Sequence, residues 1–483
     1  MITDALEHYL GDATRRGPAP TGAHTGAAGG APCGDLVRIS LVIDDGRIGA
    51  VSFEAEGCAA SVAAGAAVAE AADGATGLEA ALIGPEDVSE ALGGLSPPGR
   101  HAAELAADAL HRALGSAASS AERLAAAPAV GERVLVAMSG GVDSAVAALL
   151  EGERGAEVVA VTLKLWADRH NDGARSCCSP EAVVGARALA HSLGIPHLTL
   201  DLEDEFRRNV VAEFLAGYAA GRTPNPCVRC NGSVRLDAMI ALADRVGAAA
   251  LATGHYARVV DDGAGPLLAA PADQAKDQTY MLSALAAGSL ARVRFPLAGL
   301  RKPEVRRLAA AAGLPVATKR ESQDLCFLAG EGKRGFLARH GRMGERRGEL
   351  VDTAGRHLGE HRGHHNFTVG QRRGIGVAAP EPLYVLSTDA GSNQVVVGPR
   401  DQLATRRVLV RRATLRRDGS RINRVKLRYR SRPLACALDP VAPGDHPELV
   451  IALAEPAYGV APGQTACLMD GDLVVGHGTI AAP

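Results

Sequence analysis

At 483 residues the chain is long enough for about three or four domains of roughly 100–200 residues each. It is 47% hydrophobic but only 3% aromatic, so its cores must be built mainly from Ala, Val and Leu, and a formal net charge of −2 selects no class of partner. No apolar run approaches the roughly 18–20 residues of a membrane span, the start Met1-Ile2-Thr3-Asp4 is no signal peptide, and nine clustered cysteines argue against a secreted disulfide framework. The expectation is a cytoplasmic protein, without membrane association, whose cysteines serve a metal, a cluster or sulfur transfer.

The predicted elements describe a multidomain α/β protein. Residues 1–114 form an α+β unit: Leu36 to Ile43 alternates as a strand, Asp44-Asp45-Gly46 is a hairpin turn, and Ile48 to Phe53 returns. Helical patterns follow at 60–72 and 102–114, and the Ala/Ser-rich stretch 115–131 reads as a linker. From 132 to 330 strand patterns at 134–137, 158–164, 197–200 and 249–253 alternate with helices, which argues a doubly wound parallel sheet with its ligand at the carboxyl ends of the strands. A connecting domain is expected over 331–390 and an antiparallel β-barrel over 391–483. Its strand patterns recur from Leu383 onward, at 383–387, 394–397, 408–411, 425–429, 449–453, 467–469 and 473–475.

Met138-Ser139-Gly140-Gly141-Val142-Asp143-Ser144 lies between the strand ending at Ala137 and a helical stretch. Glycines there let backbone N–H groups approach anionic oxygens, and a helix N-terminus adds aligned dipoles. Without a Gly-Lys-Ser/Thr ending this is not the usual P-loop. Cys227-Val228-Arg229-Cys230 sits in a proline-rigid loop, and Cys326 follows 96 residues after Cys230. Three thiols could ligate a 4Fe–4S cluster with one iron open. Two could form a persulfide and a resolving disulfide. A zinc knuckle lacking its fourth ligand and buried small hydrophobes are the structural alternatives. From Arg400 to Arg432 thirteen Lys/Arg face two Asp/Glu. That stripe is either a phosphate-binding surface or a solvated one.

Taken together these segments resemble the tRNA-specific 2-thiouridylases, a family of PP-loop ATP pyrophosphatases. The match covers about Arg133 to Pro483: Met138–Ser144, Gly221–Asn231, Ala252–Tyr256, Lys276–Tyr280, Asp324–Phe327, Phe367–Arg372 and Arg428-Tyr429. The resemblance implies ATP-dependent 2-thiolation of the wobble uridine through an adenylated intermediate, with Mg2+ as a further cofactor and a cysteine desulfurase or another sulfur donor as partner. It implies ATP contacts at Ala137, Met138, Ser139, Gly140, Gly141, Val142, Asp143, Ser144, Leu163 and Gly254. Cys230 would be the nucleophile side of the sulfur site and Cys326 the persulfide carrier. Asn225, Pro226 and Cys227 would meet the target base, and Lys276, Asp277, Gln278, Arg428 and Tyr429 would contact tRNA. Many members carry Asp where this chain has Cys227, which favours a cluster held by Cys227, Cys230 and Cys326. Leu163 stands where Met is frequent. Cys177-Cys178 could relay sulfur or be ordinary loop thiols, and Cys436 and Cys467 are expected to pack in the barrel.

The first unit resembles the U-type iron–sulfur scaffold family. Cys33, Asp35, Cys58 and His101 fall on that family's ligand positions, and Ala102 replaces its third cysteine. Iron or zinc could bind there, or the unit could be a degenerate docking module. Two rival readings remain: an iron–sulfur carrier without catalysis would not need Ser139–Ser144. A PP-loop enzyme adenylating a small molecule would not need the three cysteines or the basic stripe.

Overall fold

The computed structural model describes residues 4–30, 34–168, 179–319, 325–328 and 330–482. The N-terminal unit is a three-stranded antiparallel sheet, His24–Gly29, Leu36–Asp44 and Arg47–Glu56, packed against helices Ala59–Ala72 and Pro97–Ala118. Asp45 (φ 44°) and Gly46 (φ 84°) both occupy the left-handed region, as the two-residue turn of a tight hairpin requires. The strand His24–Gly29 was not expected from its Gly- and Ala-rich sequence. Packing defines it: a Cβ on Gly26 would lie 2.2 Å from the Ala109 carbonyl, so helix Pro97–Ala118 rests directly on its backbone.

The stretch expected as a linker is largely docked. Residues 115–118 complete the long helix, Leu124 is fully buried, and its N–H donates to the Arg245 carbonyl. Buried Ala125 and guanidinium bonds from Arg245 to the Ala118 and Ser120 carbonyls and from Arg133 to the Ala126 carbonyl hold the segment with it.

Five parallel strands form the central sheet in the order Val293–Arg294, Ala250–Thr253, Arg133–Ala137, Glu157–Lys164, His197–Asp201. Alternate residues of Arg133–Ala137 face opposite cores: Val134 and Val136 enter one, Leu135 the other. Burial on both faces explains the near-continuous apolar strand patterns. The order reverses at Arg133–Ala137, which places the topological switch point at the glycine-rich turn.

Strands Tyr384–Asp389 and Gln394–Gly398, expected among the barrel strands, pair instead with Gly348–Val351 and His357–His361 in a separate sheet. Strand periodicity cannot tell which sheet a strand joins. The barrel closes with six antiparallel strands, Ala404–Leu415, Gly444–Tyr458, Leu434–Ala437, Arg424–Lys426, Thr465–Asp470 and Leu473–Ile480. The last pairs back to the first. A hairpin of the central domain, Arg258–Asp261 with Pro266–Ala269, extends this sheet alongside Leu473–Ile480. No helix among the described residues is long and apolar enough to cross a membrane.

The N-terminal unit covers the edge strand His197–Asp201. The N–H of His197 donates to the Ala81 carbonyl, Arg187 pairs with Asp108 at 3.0 Å, and the rings of His111 and His191 lie 5.3 Å apart. Burial, with Arg187 nearby, pushes the imidazoles of His111 and His191 below the usual range and that of His197 to about 3. They stay neutral while the interface is closed and bind protons once it opens. Stability of this junction should therefore be complete above the ordinary histidine pKa of about 6.5 and fall as pH drops below it. Hydrogen exchange of the helix Pro97–Ala118 between neutral and mildly acidic pH measures this, and protection unchanged with pH would refute it.

Candidate active site at the carboxyl ends of the central sheet

The strand Arg133–Ala137 runs into the turn and then into helix Val142–Glu153, whose N-cap is Gly141. Gly140 has φ +65°, a conformation that would strain any L side chain. A Cβ on Gly141 would meet only Ser139 Oγ, at 3.4 Å, so the space beside the turn is open. Ser144 Oγ donates to the Gly141 carbonyl (3.0 Å) and accepts from the Ser139 N–H (3.2 Å), so this hydroxyl is used in shaping the turn. Gly254, just past strand Ala250–Thr253, packs against the same backbone. A Cβ there would lie 2.7 Å from the Asp143 carbonyl carbon and 2.8 Å from Ser144 N.

These elements wall a cavity of about 240 Å3. Ala137, Met138, Ser139, Asp143, Ser144, Leu163, Gly254 and Cys326 line it. Gly140 and Gly141 form the turn behind it, and Val142 is buried in the helix face. Two cations that sequence reasoning missed flank the turn. Lys302, the first residue of helix Lys302–Ala311, places Nζ 2.6 and 2.7 Å from the two Asp143 carboxylate oxygens. Tyr256 OH also donates to Asp143, at 2.8 Å, and Lys319 Nζ donates to the Gly140 carbonyl at 2.8 Å. The only local signal for Lys302 was its place beside a proline in the first turn of a helix. Nothing in the sequence brings it to Asp143. His255 bonds Thr253 at 2.8 Å, and burial with Arg235 beside it pushes its imidazole to about 3, so it is neutral.

Asn225 caps the short helix Pro226–Cys230, its side-chain oxygen accepting from the N–H groups of Cys227 and Val228 at 3.2 Å each. Wide helical turns at Arg207–Val211 and Asn231–Arg235 flank this loop. Such bulges are frequent at functional sites. Cys230 is buried, Cys227 is half-buried, and half-buried Cys326 opens the turn Cys326–Leu328. Among the described residues the donor atoms of Asp168, Glu331 and His340 lie within 4.8 Å of one another, and the three cysteines show no such convergence. Arg339 already pairs with Asp168 (2.6 Å) and with Glu331, which makes that trio an ion-pair network. Cys177 and Cys178 lie outside the described residues. Burial raises the Cys436 and Cys467 thiols to about 11 and about 12, as packing residues.

The residues expected at tRNA divide by environment. Asp277 is committed: Lys426 of the barrel pairs with it at 2.9 Å, and Thr279 donates to its other oxygen. Gln278 lines the cavity beside the glycine-rich turn and accepts from the Tyr256 N–H. Lys276 is half-buried in the turn Gln274–Lys276. Arg428 and Tyr429, expected in a strand over 425–429, instead occupy the turn after Arg424–Lys426; Arg428 is exposed, and Tyr429 packs 6.2 Å from Tyr280. Much of the basic stripe is already paired within the protein: Arg417 and Arg421 grip Asp262, Arg416 donates to the Ser283 and Leu285 carbonyls, and exposed Arg411 and Arg432 pair with Glu448 and Glu455.

In the N-terminal unit Asp35 accepts from the Cys58 N–H at 2.7 Å, and this bond holds its carboxyl below the usual range. Gly57 permits the approach, since a Cβ there would sit 1.9 Å from Asp35 Oδ1. Cys58 is exposed, His101 is exposed and 3.6 Å from Glu104, Ala102 is buried, and Cys33 lies outside the described residues.

Four family profiles cover this architecture: a NifU-like N terminal domain at 3–122, a tRNA methyl transferase HUP domain at 132–330, a tRNA methyl transferase PRC-barrel domain at 334–399, and an aminomethyltransferase beta-barrel domain at 406–480. A bifunctional protein NifU/MnmA of Rubrobacter xylanophilus is 50% identical over 467 residues, 94% of this chain and 93% of its own. The chain belongs to this bifunctional NifU/MnmA family. The tRNA-specific 2-thiouridylases MnmA of Acidithiobacillus ferrooxidans (42% identical over 354 residues, 72% of this chain and 98% of theirs) and Geobacter metallireducens (41% over 364 residues, 73% and 97%) are also similar. Membership makes the chain an enzyme, a tRNA-uridine 2-sulfurtransferase with a NifU-like domain ahead of its PP-loop domain.

Gly254→Ala should push the Asp143–Ser144 backbone out of place. The expected result is at least about a tenfold loss of ATP affinity, equivalent to 1.4 kcal/mol, with the fold retained. Titration with a fluorescent ATP analogue tests it, and unaltered affinity would show that the close approach is not needed.

Proposed function

We propose that the protein thiolates C2 of the wobble uridine of tRNA through an adenylated intermediate, with Cys230 and Cys326 handling the sulfur. The observation that carries this reading is that Cys326 stands in the wall of the same cavity as the glycine-rich turn. A cluster carrier would not need a nucleotide cradle, and a small-molecule adenylating enzyme would not need a thiol beside it.

Uridine O2 is a poor leaving group, so it attacks the α-phosphorus of ATP and pyrophosphate departs. Charge on the phosphates meets N–H groups at the start of helix Val142–Glu153, with Lys302 and Lys319 adding point charges. Among the described residues Asp143 is the one carboxylate lining the cavity, and it would reach Mg2+ by releasing Lys302. Mg2+, when bound, supplies further neutralisation of the phosphates. The terminal sulfur of a Cys326 persulfide adds to C2. The Cys230 thiolate then attacks Cys326 Sγ, the S–S bond breaks with its electron pair on the C2-bound sulfur, and AMP leaves. A Cys230–Cys326 disulfide remains, to be reduced by external thiol. A cysteine desulfurase or similar donor reloads Cys326. These needs are met in the cytoplasm. Asn225, Pro226 and Cys227 face the base, Lys276 and Arg428 take phosphates, and Tyr429 offers a ring.

One feature favours a second reading, in which Cys227, Cys230 and Cys326 hold a 4Fe–4S cluster. Cys227 and Cys230 are three residues apart on one helix and so share a face. Such a cluster would supply an iron with an open position for sulfide. In the N-terminal unit, Cys58 and Asp35, with His101, would receive iron or zinc, or dock a donor.

Gly141→Val should fill the open space beside the turn and abolish tRNA-dependent pyrophosphate release; normal release would remove the nucleotide assignment. Cys230→Ser and Cys326→Ser should both abolish thiolation under either reading. Cys227→Asp separates them: an iron-free Cys227→Asp protein should thiolate fully if persulfide chemistry operates. Loss of bound iron together with activity after anaerobic reconstitution would establish the cluster instead.

A further inference from the structure

A second cavity, about 310 Å3 in volume, lies between the central domain and the barrel. It shares Asn225 and Arg229 with the cysteine-bearing segment and has no lining residue in common with the cavity beside the glycine-rich turn. Its charged lining is three guanidinium groups, Arg222, Arg229 and Arg412, against one carboxylate, Glu213. His477 also lines it, and burial pushes that imidazole to about 4, so it adds no charge at neutral pH. Two net positive charges are therefore left at this solvent-reachable cavity, where the Arg412 and Arg229 side chains are 68% and 43% exposed, whereas much of the neighbouring basic stripe is consumed by internal pairs.

Arg412 reaches this space from an unusual backbone. It has φ +51°, and the pairing of strand Ala404–Leu415 with Leu473–Ile480 shifts register between Arg411 and Thr414. A non-glycine residue in the left-handed region at a bulge is strained, and bulges at barrel rims re-aim side chains. Here the strain directs Arg412 across the domain junction to Glu213, 3.6 Å away, and Glu213 also pairs with Arg229. One carboxylate thus holds together a guanidinium from the cysteine-bearing helix and one from the barrel. A phosphodiester likewise offers two anionic oxygens, one to each guanidinium.

Resting on the thiouridylase reading above, we propose that this cavity clamps the phosphodiester flanking the target uridine, with Arg412 and Arg229 as its ligands and Glu213 as their counter-ion when RNA is absent. Arg222 adds charge at the mouth. The clamp fixes the strand on one side of the cysteine loop while the uridine enters from the other.

The test uses the full-length protein and an anticodon stem–loop RNA, with either phosphodiester flanking the target uridine replaced by a neutral methylphosphonate. For the natural protein, one of the two replacements should weaken binding about tenfold and lower the salt slope by about 0.7, the contribution of one single-strand phosphate. Arg412→Ala should show the same loss with unmodified RNA and no further loss with that methylphosphonate RNA. If Arg412→Ala fails to fold, Arg229→Ala carries the same non-additivity test. Additive losses, unchanged affinity, or free uridine monophosphate competing as well as the stem–loop would overturn the clamp. A natural protein that does not thiolate the stem–loop would instead refute the thiouridylase reading.

Discussion

The candidate site depends on one close approach, that of Gly254 to the peptide joining Asp143 and Ser144. Neighbouring parallel strands end side by side, and their connections must diverge above the sheet. Only a residue without Cβ lets the second connection lie against the first. The turn is then held from three directions: by Gly254 beneath it, by the Ser144 hydroxyl across it, and by the Lys302–Asp143 pair at the helix start. A backbone cradle fixed in this way presents its N–H groups without reorganising when charge develops, which is what electrostatic catalysis requires.

Charge follows an accounting of the same kind. The chain is nearly neutral, and its most basic segment forms a barrel whose arginines mostly meet carboxylates and carbonyls of the protein itself. The Asp262–Arg417–Arg421 group and the Lys426–Asp277 pair bind the barrel to the central domain. A desolvated lysine beside a desolvated aspartate is tolerated because each answers the other. Uncompensated positive charge is thereby confined to particular places, among them the cavity beside the cysteine loop.

The N-terminal unit is joined to the central domain by packing, not by a flexible tether alone. Its long helix covers the edge strand His197–Asp201, and a buried chain of bonds runs from there to the start of the glycine-rich turn: His197 to Thr162, and Thr162 to the Met138 carbonyl. Covering an edge strand removes a site of unwanted pairing. It also places the scaffold-like unit within a few bonds of the glycine-rich turn.

By itself the sequence determined the central parallel sheet, the turn at its switch point and the hairpin at Asp45-Gly46, and it singled out the thiols of Cys227, Cys230 and Cys326 while leaving persulfide and cluster chemistry open between them. Each is a local pattern: apolar runs buried on both faces, residues tolerant of positive φ, and thiols in a proline-rigid loop. The resemblance in motif order extended that reading to a family, which overall identity then established. Tertiary structure alone decided the rest. The strand His24–Gly29 has a helix lying directly on its backbone, Tyr384–Asp389 and Gln394–Gly398 pair with each other and with Gly348–Val351 outside the barrel, and buried Leu124 docks the expected linker. Lys302 and Lys319 reach the cradle across more than 150 residues of chain, and Asp277 and Gln278 turn inward to partners that local sequence does not show. The physical reason is the same throughout: local sequence sets backbone preference and side-chain chemistry, whereas burial and the pairing of charges depend on which distant segments arrive.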